Sequence, residues 1–216
     1  MAKPLLVFDL DGTLIDGYAG IGRALGYAME HLGLTPPPDA RVRVMVGYGL
    51  ERLLEQAVGP ELAPEGVRLF RERYQEVAVE GSHLLPGVAA TLAALDARGY
   101  PMAVASNKPA PFSGLILGAK GVARYFRAIE GPDAATPAKP DPTMLRRLLE
   151  RTAAPARTTV VVGDMEVDAD FARAAGCRVV LIPSGSRSRS ELAEVAADGL
   201  LDEITDLPLW LEGVDG

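Results

Sequence analysis

The sequence predicts an α/β fold, a doubly wound parallel, Rossmann-like sheet carrying an inserted α-helical cap. Two observations carry that prediction. Short β-branched apolar runs alternate with amphipathic segments through most of the chain, the pattern of strand–helix–strand units in a parallel sheet. From about Tyr18 to Val79 the alternation stops, and the chain reads as helix throughout.

The strands come first in the argument. Leu5 to Phe8, Met102 to Ala105, Thr158 to Val162 and Val179 to Ile182 are apolar runs, each closed by a Gly, Pro, Ser or Asp cluster. Between them, Val88 to Arg98, Pro142 to Thr152 and Asp168 to Ala175 repeat apolar residues every three to four positions, as helices lying on a sheet do.

The inserted segment has its own faces. Ile21, Leu25, Ala28 and Leu32, then Leu50, Leu53, Leu54 and Ala57, then Val67, Phe70, Tyr74 and Val77 give three or four helices able to pack as a bundle. Pro36-Pro37-Pro38 is a stiff loop between them. Gly17 and Gly81-Ser82 stand at the two ends as hinges, because glycine tolerates the backbone change a moving lid requires. The expected division is a core of residues 1–15 and 83–216 and a cap of residues 16–82. Leu207-Pro208-Leu209-Trp210-Leu211 can serve a core or a partner, which leaves monomer and homodimer open, with Trp210 expected at the domain edge. Arg187 and Arg189, in a serine-rich stretch, are expected in a solvated loop.

Composition excludes several classes. The 216 residues are 48% apolar, enough for one sizeable core and a smaller module. A formal net charge of -7 argues against a surface for nucleic acid or anionic membrane, so an anionic substrate needs a local cation. No apolar run is long enough to span a bilayer, and Met1-Ala2-Lys3-Pro4 passes directly into a short strand, so the protein is expected in the cytoplasm. A single cysteine, Cys177, excludes an internal disulfide and reads as a buried structural thiol beside Val179-Val180-Leu181-Ile182. His31 in a helical stretch and His83 in a loop complete no zinc site, so any metal should be hard and oxygen-bound.

Chemistry concentrates at strand ends. Phe8-Asp9-Leu10-Asp11-Gly12-Thr13-Leu14 follows the first strand, where the carboxyl ends of a doubly wound sheet form the ligand crevice. Two carboxylates this close can divide labour: one attacks phosphorus while the other moves a proton to the leaving oxygen and later from water. Gly12 permits a tight turn or close backbone approach to phosphate, and it and Thr13 are expected among the phosphate contacts. Taken alone, Asp-x-Asp-Gly-Thr reads equally well as a strand-ending turn. Ser106-Asn107 follows the second strand and offers a hydroxyl and a backbone amide to phosphate oxygens. Lys139, in the proline-stiffened Ala138-Lys139-Pro140-Asp141-Pro142, suits a fixed cation. Gly163-Asp164-Met165-Glu166-Val167-Asp168 adds acids at the same edge, and Asp9 with Asp164 can supply carboxylates to Mg²⁺. Each signal is common; together they converge on one rim.

This ordered set of Asp9-x-Asp11-Gly12-Thr13, Ser106, Lys139 and Gly163-Asp164-x-x-x-Asp168 resembles the haloacid dehalogenase superfamily over essentially the whole chain. The resemblance implies that Asp9 forms a phosphoaspartate, that Asp11 is general acid and base, and that Ser106 and Lys139 hold the phosphoryl group. It implies Mg²⁺ held by the Asp9 carboxylate, the Asp11 backbone carbonyl and Asp164, with Asp168 as a ligand or behind one. Val46-Gly47-Tyr48-Gly49-Leu50, Leu85-Pro86-Gly87-Val88, Ser106-Asn107-Lys108-Pro109 and Lys139-Pro140-Asp141-Pro142 are most similar to phosphoglycolate phosphatases. Gly17 and Met165 depart from that pattern, standing where serine is usual.

The function so implied is hydrolysis of a small phosphorylated metabolite, 2-phosphoglycolate before others, with the cap closing over it. Gly47, Tyr48, Gly49 and Arg52 are the expected cap contacts. A sugar phosphomutase of the β-phosphoglucomutase kind or a pyrophosphatase shares the core set and stays as an alternative. A halide-releasing hydrolase lacks the second aspartate, and a phospho-accepting signalling module expects its aspartate after a later strand.

Overall fold

In the computed structural model, residues 3–214 are described. The chain start at Met1-Ala2 and the last two residues assigned to the core lie outside that range. In chain order the strands are β1 (Leu6–Phe8), β2 (Ile15–Asp16), β3 (His83–Leu84), β4 (Met102–Ala105), β5 (Phe126–Glu130), β6 (Val160–Gly163), β7 (Arg178–Leu181) and β8 (Gly199–Leu200). The helices are α1 (Tyr18–His31), α2 (Asp39–Met45), α3 (Leu50–Val58), α4 (Ala63–Val77), α5 (Val88–Ala97), α6 (Ala110–Ala119), α7 (Thr143–Thr152), α8 (Glu166–Ala174), α9 (Arg189–Ala193) and α10 (Leu207–Val214).

The main sheet is parallel in the order β5-β4-β1-β6-β7-β8. Strands β1, β4 and β6 are buried at every position, which explains why they appear in the sequence as unbroken apolar runs rather than alternating ones. Alternate side chains serve two cores. Leu6, Phe8, Val104 and Val162 face one, while Leu5, Val7, Ala105 and Val161 pack with Met144 and Leu148 of α7 and Phe171 of α8 on the other. The chain runs outward from β1 to β4 and β5, then crosses to β6 on the other side. That reversal places the crevice at the carboxyl ends of β1, β4 and β6.

Helices α1 to α4 leave and rejoin the sheet through an antiparallel pair, Ile15 opposite Leu84 and Asp16 opposite His83. Helix α1 packs on α4 and α2, and α3 packs on α4. Their interior, with Leu25, Ala28, Leu54, Phe70 and Tyr74, is continuous with the core on the Phe8 face of the sheet. Gly20 donates its N–H to Gly81 O at 3.2 Å, and a Cβ on Gly81 would overlap the Gly20 backbone. Gly81 therefore serves close packing. Gly17 also lacks a positive φ, and a Cβ there would collide with Asp11 Oδ1. Both glycines expected as hinges answer to space rather than to backbone freedom.

Element ends differ from expectation by one or two residues. Thr158 sits in a 3₁₀ turn before β6, and α8 begins at Glu166 rather than Asp168, so that Asp168 falls in the first helical turn. His83, expected in a loop, lies in β3. Strands β5 and β8 appear as additions. Trp210 packs over Gly199 at the sheet edge as expected. Cys177 is buried, and that burial pushes its thiol up to about 11.

Candidate active site

Asp9 is the first residue past β1, held in line by its N–H to Val162 O at 2.8 Å. The chain then turns: Leu14 and Ile15 donate back to Leu10 O at 2.9 and 3.0 Å, and Gly12 donates to Ile15 O at 2.8 Å. Gly12 has φ +91, and a Cβ there would run into the Asp164 carboxylate, so both backbone and space demand glycine. Ser184 Oγ donates to Gly12 O at 2.6 Å. Thr13 donates its hydroxyl to Asp164 Oδ1 at 3.0 Å, so this expected phosphate contact is instead a support for the aspartate opposite.

Lys139 is the hub. Its Nζ donates to Asp9 Oδ1 and to Asp168 Oδ1, both at 2.8 Å, with the side chain 1% exposed. Asp168, in the first turn of α8, uses Oδ2 to accept the N–H groups of Asp164 and Met165 at 3.2 Å each. Asp9, Asp164 and Asp168 thus meet, each offering an oxygen within 4.8 Å of the others. Asp11 points elsewhere: its Oδ2 lies 2.5 Å from the Nζ of Lys108. No role for Lys108 follows from its position in sequence, although it sits directly beside Ser106 and Asn107.

Ser106 is buried at the end of β4, on the cavity wall, and its Oγ accepts the Lys108 N–H at 3.3 Å. Asn107, whose backbone amide is expected to hold phosphate, lines the cavity and uses its side chain as a clamp. Its Oδ1 accepts the Lys139 N–H at 2.6 Å, and its Nδ2 donates to Lys139 O at 3.3 Å and to Gly47 O at 2.9 Å. It fixes the lysine loop and ties the helical insertion to the sheet.

Of the expected cap contacts, Gly47 and Gly49 line the cavity and hold positive φ values of 129 and 97. Met165 packs against Gly47 where a Cβ would be. Tyr48 and Arg52 do not line the cavity. Tyr48 Oη donates to Glu166 Oε1 at 2.5 Å, and the exposed Arg52 stacks 4.5 Å over the Tyr48 ring. Arg187, expected to be solvated, grips the same Glu166 through Nε at 2.9 Å and Nη2 at 2.7 Å. Arg189 is exposed, as expected, but it opens α9 rather than lying in the loop and pairs with Asp202 at 2.7 Å.

A family model for haloacid dehalogenase-like hydrolases matches residues 6–182. The chain belongs to that family. A phosphoglycolate phosphatase of Yersinia pseudotuberculosis is 36% identical over 209 residues, spanning 94% of this chain and 90% of the relative. That of Escherichia coli K12 is 34% identical over 226 residues, with the same coverage. Among solved structures, a predicted phosphoglycolate phosphatase from Haemophilus somnus superposes with a TM-score of 0.89 at 28% identity, covering 96% of this chain and 97% of its own.

The electrostatics of this haloacid dehalogenase-like site are strained toward a cation. Burial, reinforced by Asp168 and Asp9, holds the Asp164 carboxyl well above the usual range. Burial pushes Asp168 up to about 6, against the pull of Lys139. Burial alone would lower the two ammonium groups, yet both stay above the usual lysine value. Asp168 and Asp9 hold Lys139 there, and Asp11 and Tyr74 hold Lys108. The Glu166 carboxyl, hydrogen-bonded by Arg187, drops to about 2.

Asp164 Oδ2 is buried with no hydrogen-bond partner, and Gly12 and Gly185 make room for its carboxylate, which a Cβ at either position would strike. An oxygen cluster crowded with negative charge and holding one unpartnered carboxylate oxygen suits a hard divalent cation. Among the described residues no helix is long and apolar enough to cross a membrane.

Proposed function

We propose that this chain is a Mg²⁺-dependent phosphatase that hydrolyses 2-phosphoglycolate to glycolate and phosphate through a phosphoaspartate on Asp9. The observation that carries the reading is the placement of Lys139 Nζ 2.8 Å from Asp9 Oδ1, on the wall of a cavity of about 70 Å³ that also reaches Asp11 and Ser106. Support for the substrate comes from relatives named phosphoglycolate phosphatase that align along nearly the whole chain. Residues 16–82 act as a cap over a core of 1–15 and 83–216, and the protein works in the cytoplasm on a small metabolite.

The chain's own groups divide the work. Asp9 attacks phosphorus with one carboxylate oxygen; the bond from phosphorus to the leaving oxygen breaks, and Asp11 delivers a proton to that oxygen. Lys139 orients Asp9 and neutralises phosphoryl oxygens, while the Ser106 hydroxyl holds another. Water then adds to phosphorus as Asp11 takes its proton, and the bond to Asp9 breaks to release phosphate. The Asp9 and Asp164 carboxylates and the Asp11 backbone carbonyl, with Asp168 beside them, would hold Mg²⁺, which would supply charge neutralisation at the phosphoryl oxygens. Gly47 and Gly49 bring the cap backbone close to the substrate, and the apolar walls of Leu50, Leu53 and Phe70 exclude water.

The test is phosphate release from a panel of small phosphoesters with Mg²⁺, run beside an assay of hexose 1-phosphate isomerisation. The largest kcat/KM should belong to 2-phosphoglycolate. Isomerisation without phosphate release would overturn the reading in favour of a mutase, and no release from any ester would overturn it outright.

A further inference from the structure

The cavity contains two buried ammonium groups, and each serves a different acid. Lys139 divides its donors between Asp9 and Asp168. Lys108, with its side chain 6% exposed, pairs with Asp11 Oδ2 at 2.5 Å and faces Tyr74. An ammonium carries three donors, and buried donors are rarely left idle. Tyr74, which with Asp11 keeps the Lys108 ammonium charged, and Ser82 are buried beside it. Lys108 Nζ lies 5.2 Å from the Tyr74 ring centre, so these groups form one polar spot in walls otherwise built by Ile21, Leu53, Phe70 and Phe112.

We infer that Lys108 reads the leaving group, making the enzyme selective for phosphomonoesters whose alcohol bears a carboxylate on the carbon next to the ester oxygen. The inference rests on the phosphatase reading above and adds the residue that decides specificity. Asp11 must touch the leaving oxygen to protonate it, and Lys108 Nζ adjoins Asp11. A carboxylate one carbon from that oxygen therefore meets the ammonium, while the phosphoryl group occupies the Asp9 and Lys139 end. With apolar side chains around it, the ion pair is less screened than in water.

The experiment compares kcat/KM for 2-phosphoglycolate with that for 2-hydroxyethyl phosphate, which matches its length and lacks the carboxylate, with p-nitrophenyl phosphate as a reference. Wild-type enzyme with Mg²⁺ should prefer phosphoglycolate over the neutral analogue by about 10- to 100-fold, the worth of a hydrogen bond to a charged group. Lys108→Met, which keeps the stem packed against Tyr74, should bring that ratio close to unity, and Lys108→Arg should retain part of it. An equal loss on both esters would mean that Lys108 acts only through Asp11, and would overturn the inference. So would an unchanged ratio, or a wild-type enzyme that does not discriminate; this last measurement decides even if Lys108→Met does not fold. Failure of the wild type on all three esters would sink the phosphatase reading itself, whereas release without preference sinks only the assignment of Lys108.

Discussion

Tyr48, on the loop between α2 and α3, donates its hydroxyl to Glu166 in the first turn of α8, two residues from Asp164, at 2.5 Å. Glu166 also receives two bonds from Arg187, so one carboxylate gathers the helical insertion, the start of α8 and the loop after β7. Asn107 to Gly47 O and Arg43 to Gly185 O, at 2.9 and 3.4 Å, add two more ties between insertion and sheet. The cavity is thus closed by a small number of polar bonds around an apolar interior.

Removing one of these ties should loosen closure without touching the chemistry. Tyr48→Phe deletes a hydrogen bond to a charged group at a half-buried site, which should raise KM about 3- to 10-fold and leave kcat within about 2-fold. Steady-state kinetics on 2-phosphoglycolate read this directly. A large fall in kcat with KM unchanged would mean that Tyr48 acts in the reaction rather than in closure.

Asp9→Asn should lower turnover by at least about 1000-fold, because the amide keeps the shape and loses the nucleophile. Its melting temperature in the absence of metal should not fall. Asp9 is one of the charges that raise Asp164 and Asp168, and removing it relieves that crowding while Lys139 keeps Asp168. Calorimetry beside a phosphate-release assay separates the two effects. Near-wild-type activity would rule Asp9 out as the attacking group.

How far the sequence foretold this depends on where each residue lies. Strands β1, β4, β6 and β7 were legible because burial on both faces writes unbroken apolar runs. Strand β5, Phe126-Arg127-Ala128-Ile129-Glu130, was not, because it ends the sheet and exposes Arg127, and β8 is too short to leave a pattern. Asp9, Lys139, Asp164 and Asp168 were legible as acids and a cation following strands or preceding helices. That the side chains of Asn107 and Thr13 bind other groups of the site is shown only by their geometry. The pairings Lys108 with Asp11 and Arg187 with Glu166 and Tyr48 join loops far apart in the chain, for which local periodicity holds no information.

Gly12→Ala should damage the site from its floor. The substitution forces a side chain into φ +91 and toward the Asp164 carboxylate, combining backbone strain with displacement of an oxygen proposed to hold Mg²⁺. The loss of stability should be about 1–3 kcal/mol, with the Mg²⁺ concentration for half-maximal activity rising at least about 10-fold. Denaturant unfolding and a metal titration check both. Unchanged metal dependence would show that Asp164 need not hold its position for Mg²⁺ to act.

The pH dependence of the metal-free protein follows from the same three acids. Asp168 is pushed up to about 6 and Asp164 is raised as well, each chiefly by burial. A carboxyl whose folded value lies above its unfolded one binds more protons in the native state, so stability falls as pH rises from about 4 through about 6. The depressed carboxyl of Glu166 acts the other way, but its contribution is lost only as pH drops below about 4.5 toward 2, outside that range. In EDTA the melting temperature should therefore be higher at about pH 5 than at about pH 7.5. Mg²⁺ must displace the proton that Asp168 holds, so its stabilising effect should be small at the lower pH and large at the higher one. Thermal scans at both pH values, with and without Mg²⁺, read the difference, and Asp168→Asn should flatten it. A metal-free protein that grows more stable across this range would contradict the placement of two raised carboxyls beside Lys139.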